Sequence, residues 1–458
     1  MSRLKNITPD GVALVPSAFL IDEIVITNKI GQTVDVQNLV TEFSITESLY
    51  TPSLFCSLSI KDHVNLLETL PLYGQETIRI SVYRQSGENG PQQRISLEFY
   101  LTEYPVFGRP KEQHTQVYTI RGISPHAFVN SQRKISRFWR GPTSDQIVKI
   151  FQDAFGESVE VEGGAISKGQ GIINIQSPMQ AADWFRRRTY DGQFAPFYLF
   201  QTIDGKINLK SHSVIANDQV YERYIDSRDF NNDVATELDY EARRKRIVDV
   251  SSDLNLSKFF ASEKGTFASE NNYLDISKKS FSRKYYSYPG QFPISSTLEG
   301  KSVLESPPPF EVSPDLASTN SYLNQNFFPP APTEHSEEMG ANFFSYMEHI
   351  ATNSLAFEGS FQNYSTALSV DSIYRLNAFE GIFNTYVHDL ILFGDMDLKA
   401  GTKIELEFPR AVDPEQVGQA DLIDRNLSGK YIVTSAIHEF KNQEYFLKVR
   451  VKRDSFSQ

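Results

Sequence analysis

Along the first ~125 residues the apolar positions recur with a period of two. Ile24 and Ile26 alternate with Val25 and Thr27, and residues 40–48 alternate more weakly. Residues 54–61 follow, and then Ile78, Ile80 and Val82 share one parity. Ile95, Leu97, Phe99 and Leu101 repeat the pattern, as do Tyr118 and Ile120 against Val117, Thr119 and Arg121. Successive side chains of a strand face opposite sides, so the alternation predicts half-buried strands. Residues 40–48 and 54–61 are expected to pair across 48–53, with Pro52 breaking the run between them. Residues 64–70 predict a short helix closed by Pro71, and Gly74 opens the next strand. Five or six such strands with short turns predict a barrel or sandwich.

After His126 the period changes. Ile147, Val148, Ile150, Phe151 and Phe155 recur at helical spacing, with Thr143 or Ser144 as the expected N-cap and Gly156 as a left-handed end. Ser177-Pro178 predicts a second helix, carrying Ala181, Trp184 and Phe185 and ending in Arg186–Arg188 near the negative end of its dipole. Asp204-Gly205 between residues 197–203 and 206–211 predicts a hairpin. The stretch reads as a small α/β unit.

Between Pro289 and Pro332 lie nine of the chain's 22 prolines. Such a segment sustains neither a helix nor a central strand, and it reads as an extended arm, an ordered loop or a disordered linker. Strand patterning returns in the last ~90 residues: 387–393, then Ile404, Leu406 and Phe408 after Gly401, then Tyr431, Val433 and Ile437, then Tyr445, Leu447, Val449 and Val451. The glycine-then-strand unit at 401–408 echoes the one at 74–82, a weak internal repeat.

The chain's 458 residues are long enough for three or four domains. Its 33 Phe and 22 Tyr fit β-rich cores or large contact surfaces. The formal net charge of −12, with only the short basic runs 186–188 and 243–246, argues against clamping a phosphate backbone. The basic runs are expected to be solvated ends of elements. Met1 to Pro16 lacks the apolar stretch of a signal peptide, and no run of about 18 apolar residues is present to span a membrane.

Catalytic patterns are not found. The single cysteine, Cys56, sits among Leu54, Phe55 and Leu58 and reads as a buried thiol. The eight histidines (63, 114, 126, 212, 335, 349, 388 and 438) include no i, i+4 pair of the kind that holds zinc on a helix. His438 reads as a packed or solvent-facing strand residue. Lys168-Gly169-Gln170-Gly171 lacks a phosphate-loop motif and reads as a flexible turn. Glu380 and Asp389 flank an aromatic stretch without standing out as a hydrolytic pair, and Glu337-Glu338 read as solvated. No catalytic, cofactor-binding or metal-binding residue is assigned, and the chain is expected not to be an enzyme.

A set of ordered motifs goes further. Residues 43–50 (FSITESLY), the strand 54–62 and residues 70–80 (LPLYGQETIRI) occur in the order found in the opening barrel of the central hub proteins of contractile-tailed phage baseplates, the T-even type. Residues 394–401 (GDMDLKAG), 403–409 (KIELEFP), 427–433 (LSGKYIV) and 438–440 (HEF) resemble that family's C-terminal pattern. The resemblance spans about three quarters of the chain and fails between about 257 and 365. It implies a mainly β fold with an α+β insert: a tail-tube-like β-barrel at 1–125, an α/β domain at 126–234, a second tube-like barrel from 235–256 and 366–458, and a Pro-rich insertion at 257–365.

It further implies a structural role. Three chains would present six similar barrels, a homotrimer joining a hexameric tail tube to a trimeric spike protein. Tail tube proteins and baseplate wedge proteins would be neighbours. No cofactor, sequence-specific nucleic acid or membrane insertion is implied, and the location is the virion tail after assembly in the host cytoplasm. The net negative charge suggests a channel that lets DNA slide, and because Gln458 follows a strand directly, the spike is expected to be a separate chain. Other readings are the hub of a contractile injection system such as a tailocin or secretion-system spike, a tail-borne cell-wall hydrolase, or a carbohydrate-binding receptor module.

Overall fold

In a computed structural model of the chain, the residues described are 12–13, 17–71, 74–86, 92–103, 115–226, 243–254, 266, 268–275, 279–287, 297–299, 301–302, 346–352, 373–384, 386–410 and 423–456. The architecture is mainly β.

The N-terminal strands are β1 (Val12–Ala13), β2 (Leu20–Thr27), β3 (Thr33–Asp35), β4 (Val40–Ser48) and β5 (Thr51–Asp62). A short helix, α1 (Leu66–Thr69), leads to β6 (Thr77–Ser86), β7 (Gln92–Glu103) and β8 (Gln116–Ile123). Inward-facing Phe43, Ile45, Leu58, Ile60, Ile78, Ile80, Val82 and Phe99 are buried, as the alternation requires. Pro52 does not break the pairing. It is the second residue of β5, whose hairpin with β4 turns tightly at Leu49-Tyr50.

The α/β unit follows: α2 (Pro125–Gln132), β9 (Ile135–Pro142), α3 (Thr143–Phe155), β10 (Val159–Glu162), β11 (Lys168–Gln176), α4 (Pro178–Arg186), β12 (Phe197–Gln201), β13 (Ile207–Ser211) and α5 (His212–Asn217). Its core packs Trp139, Ile147, Phe151, Phe185, Phe197 and Leu209 between the helices and the β10–β13–β12 sheet. Helix α4 starts with a full capping box between Ser177 and Gln180 and has Pro178 at its first position. Gly156 ends α3 at φ 76°. The hairpin turn at Asp204-Gly205 is present, with Gly205 at φ 85°.

Two local expectations fail here. Pro142, not Thr143 or Ser144, stands before α3, and Thr143 already belongs to the helix with its hydroxyl 2.5 Å from that of Ser167. Residues 168–171 are strand rather than flexible turn, because β11 pairs antiparallel with β9 from Lys168↔Pro142 to Gln176↔Ile135.

The C-terminal part contains β14 (Arg223–Ile225), β15 (Ile247–Leu254), β16 (Ala268–Asp275), β17 (Ser280–Ser287), β18 (Lys301–Ser302), β19 (Tyr346–Thr352), α6 (Ile373–Phe383), β20 (Tyr386–Phe393), β21 (Lys403–Glu407), β22 (Gly429–Lys441), β23 (Glu444–Arg453) and β24 (Ser455–Phe456). Strands β17, β16 and β19 form a separate sheet, and β18 pairs β24. Most of the proline-rich stretch, and with it Glu337-Glu338, lies outside the described residues.

Among the described residues the main sheet has 14 strands; eleven run β15-β20-β23-β22-β4-β5-β8-β7-β6-β2-β3, and β1, β14 and β21 pair beside this path. One pattern occurs in it twice. In the first repeat the order is β4-β5-β8-β7-β6, all antiparallel; in the second it is β15-β20-β23-β22-β21, all antiparallel.

The correspondence extends to single residues. Val40↔Ile60 and Ile247↔Leu392 are each followed by a one-residue shift in pairing. Cys56↔Gly122 matches His388↔Val451. Tyr100 has Thr77 on one side and Ile123 on the other, as Ile432 has Lys403 and Lys452. A second shift follows each crossing, at Thr102 and at Thr434. The two threonines make the same bond: Thr102 Oγ1 donates to the Arg121 carbonyl at 3.3 Å, and Thr434 Oγ1 to that of Arg450 at 3.0 Å. The repeats differ at the last strand, where β2 runs antiparallel to β6 but β14 runs parallel to β21.

Candidate functional site: the seam between the strand repeats

Strand β22 joins the repeats. One of its edges pairs with β21 over residues 429–432 and then with β4 over 435–441, while the other edge carries β23. Across this seam Phe43 stacks on Phe440 at 4.4 Å, Phe440 stacks on Tyr445 at 4.3 Å, and Phe19 meets Phe440 edge-on. Stacks of this kind add to the apolar burial of the rings.

Buried polar groups lock the seam in a way that simple strand pairing does not require. Glu47 is fully buried on β4. Its Oε2 accepts the Ile203 N–H of the α/β hairpin and its Oε1 the Ala400 N–H before β21, both at 2.6 Å. One carboxylate therefore ties the first repeat to the α/β unit and to the second repeat. Such charge-assisted bonds satisfy two backbone donors that would otherwise be orphaned. His438 lies beside it, with Nε2 3.8 Å from Glu47 and Nδ1 2.7 Å from the Tyr445 hydroxyl.

Gly394 has no room for a side chain, since a Cβ there would overlap the Tyr445 ring. Its carbonyl accepts from the buried guanidinium of Arg84 on β6. The next residue, Asp395, is held by Gln93 of β7 at 2.9 Å, by the Tyr221 hydroxyl at 2.9 Å and by Arg244 at 2.8 Å. The nearby carboxylate and burial push the Tyr221 hydroxyl well up, burial being the larger cause, so it stays a donor.

The α/β unit has its own anchors. The Gln201 side-chain oxygen accepts from Leu54 N–H at 3.1 Å and from Ser124 Oγ at 2.6 Å. His212 Nε2 donates to the buried Asp454 carboxylate at 2.6 Å, with the Tyr198 hydroxyl 3.1 Å from Nδ1. The other oxygen of Asp454 accepts from Leu298 N–H at 3.0 Å. The row of tyrosine, histidine and aspartate is buried at a junction of elements, where it cross-links the fold.

The residues weighed for chemistry fall into packing roles. Cys56 is buried, and burial pushes its thiol up, away from a reactive thiolate. His126 Nε2 donates to the Pro52 carbonyl at 2.6 Å, and burial lowers its basicity. His388 is held between Ser252 Oγ at 2.8 Å and the Tyr431 hydroxyl at 3.1 Å, with its pKa lowered to about 4 by burial and by Arg453. His438 is packed, and His63 is exposed. Residues 114 and 335, and the side chain of His349, lie outside the description.

Glu380 is exposed on α6, while Asp389 forms a two-pronged ion pair with Arg450 at 2.8 Å. The basic runs are not simply solvated ends. Arg186 and Arg187 both bind Asp183, Arg188 lies 4.0 Å over Trp184, and Arg244 bridges Asp395 and Glu222. Sequence reading placed Glu47 and Gly394-Asp395 inside family-like motifs without seeing their work. The clue to Glu47 was a carboxylate on the same parity as Phe43 and Ile45.

No protein-family model matches the chain, and no curated protein does. Solved structures do. The 43 kDa tail protein of prophage MuSo2 from Shewanella oneidensis superposes with a TM-score of 0.50 at 10% identity, over 95% of this chain and 100% of that one. The tail protein from Neisseria meningitidis reaches 0.49 at 10% identity, over 96% and 98%. An E. coli component of the type VI secretion system, described as similar in structure to the T4 tail proteins gp27 and gp5, reaches 0.40 at 7% identity, over 95% and 77%. At such identities the likeness is one of fold. The fold is the mainly β one of the MuSo2 prophage tail protein, which the chain matches along that protein's whole length.

Proposed function

We propose that the chain is a structural subunit of the phage tail baseplate: a hub whose three copies form a pseudo-sixfold ring joining the hexameric tail tube to the trimeric spike. The supporting observation is the doubled five-strand order, matched residue by residue and joined edge to edge through β22 and β4. A chain with two equivalent units lets three copies imitate six, and heterologous contacts of this kind close into a ring. Wedge proteins would flank the ring, and the whole would reside in the virion. In this reading the chain has no catalytic role, and the buried histidines and carboxylates serve to hold the units rigidly together.

Light scattering of the purified chain tests the proposal, alone and mixed with the spike protein encoded by the same phage. The expected mass is three times 52.1 kDa, rising by one spike trimer on mixing. A monomer that ignores the spike overturns it. On a cell-wall zymogram the chain is expected to give no clearing; a band lost on replacing one carboxylate would make it a hydrolase.

A further inference from the structure

The outer face of the β9–β11 pair is apolar and basic at once. Trp139 and Ile173 turn inward to the core of the α/β unit, and the residues of opposite parity turn out. On that outer face Phe138 pairs with Ile172, and Arg140 with Gln170. Phe138 is 64% exposed, and Ile172 and Ile175 are each 72% exposed. Arg140 and Lys168 are exposed beside them. No Asp or Glu occurs between Arg133 and Ser144 or between Gly163 and Ala182, in a chain whose formal net charge is −12. Large apolar side chains grouped on one exposed face mark a contact surface.

The same chain carries a segment of the opposite charge. Residues 303–345 hold six carboxylates (Glu305, Glu311, Asp315, Glu334, Glu337 and Glu338) and neither Lys nor Arg. They also hold five Phe and seven Pro. We propose that this segment docks along the outer face of β9–β11 in its own chain, with its Phe and Pro against Phe138, Ile172 and Ile175 and its carboxylates towards Arg140 and Lys168. Proline-rich sequence loses little freedom on lying extended over an apolar face, and the matched charges fix which face it takes. The segment starts beside the α/β unit: Leu298 N–H, just before β18, donates to Asp454, which holds His212 of α5. Held at both ends, a segment of this length reaches about 70 Å outward. Its tether gives it a higher effective concentration than the same segment of another copy has. The inference stands apart from the hub reading and applies equally to one chain or to a ring.

Photocrosslinking of the full chain tests it. Phe138 and Ile172 are exposed, so Phe138→p-benzoylphenylalanine and, separately, Ile172→p-benzoylphenylalanine leave the core packing untouched. No Lys or Arg lies between Lys301 and Arg375, so trypsin releases residues 302–375 as one peptide. After irradiation the expected product runs as a monomer on a denaturing gel. Its tryptic map joins that peptide to the one bearing the label, and further cleavage after glutamate places the joint within 303–345. Adding Arg140→Glu and Lys168→Glu to the Ile172 variant is expected to cut the yield at least about fivefold at low salt. A link to any other segment, or no link from either position, overturns the proposal. A linked dimer gives the face to a second copy and overturns it too. An undiminished yield in the charge-reversed variant removes the charge match on which it rests.

Discussion

The two strand repeats share order, pairing and bulges, yet they fill equivalent places with different chemistry. Beneath the first, Ile45 faces Cys56 across β4 and β5, and Gly122 opposite Cys56 leaves no space, since a Cβ there would stand 2.8 Å from the sulfur. In the second, the equivalent residues are exposed Ser252 and buried His388 and Val451, and the first two are hydrogen-bonded to each other. At the seam, Glu47 corresponds to Leu254. Backbone pairing is therefore the shared element, and side chains are free to vary so long as each buried polar group finds a partner. Both repeats bury an apolar core; the first adds one structural carboxylate, and the second a polar network around His388.

The contrast can be broken at several points. Removing the seam carboxylate has the largest expected effect: Glu47→Ala strands two backbone donors and leaves a void, lowering stability by about 4 kcal/mol in urea unfolding. Ile45→Ala should cost about 3 kcal/mol as a cavity in the core of the first repeat, whereas Ser252→Ala at the matching place should cost about 1 kcal/mol. Equal losses would deny the difference between the cores.

The pH response should also divide the repeats. His388 has its pKa lowered from 6.5 to about 4 in the folded chain. Between those values the unfolded chain binds the proton and the folded chain does not, so stability falls as pH drops through that window, by about 3 kcal/mol at its lower end. His388→Gln should flatten this contribution between pH 6.5 and 4. The equivalent Cys56, its thiol pushed up by burial, is neutral throughout. An unchanged slope in the variant would remove His388 from the account. The smallest contrast concerns the paired threonines: Thr434→Val should cost about 1 kcal/mol, and Thr102→Val, exposed at the end of β7, a few tenths.

Much of the β framework was legible in the sequence because inward residues such as Ile78, Ile80 and Val82 alternate with polar ones. Punctuation was equally readable at Ser177-Pro178, Gly156 and Asp204-Gly205, where side-chain capping or positive φ demands particular residues. The β9–β11 pair was missed because Phe138 and Ile172, paired on its outer face, are 64% and 72% exposed, which blurs the alternation. Helix α2 was missed too, its apolar stripe being short. The match between repeats showed only as a glycine before a strand, since correspondence carried by backbone pairing leaves little trace in side chains. Glu47 was invisible as a clasp because its partners, Ile203 and Ala400, donate backbone N–H groups from 156 and 353 residues away.

End-on electron microscopy of the purified oligomer is the most direct measurement of whether this doubled unit serves to counterfeit sixfold symmetry. The account predicts a closed ring of three chains showing six evenly spaced β densities, alternating between the two kinds of core. A ring with any other number of chains, or three chains with their repeats stacked along the axis rather than side by side around it, would contradict it.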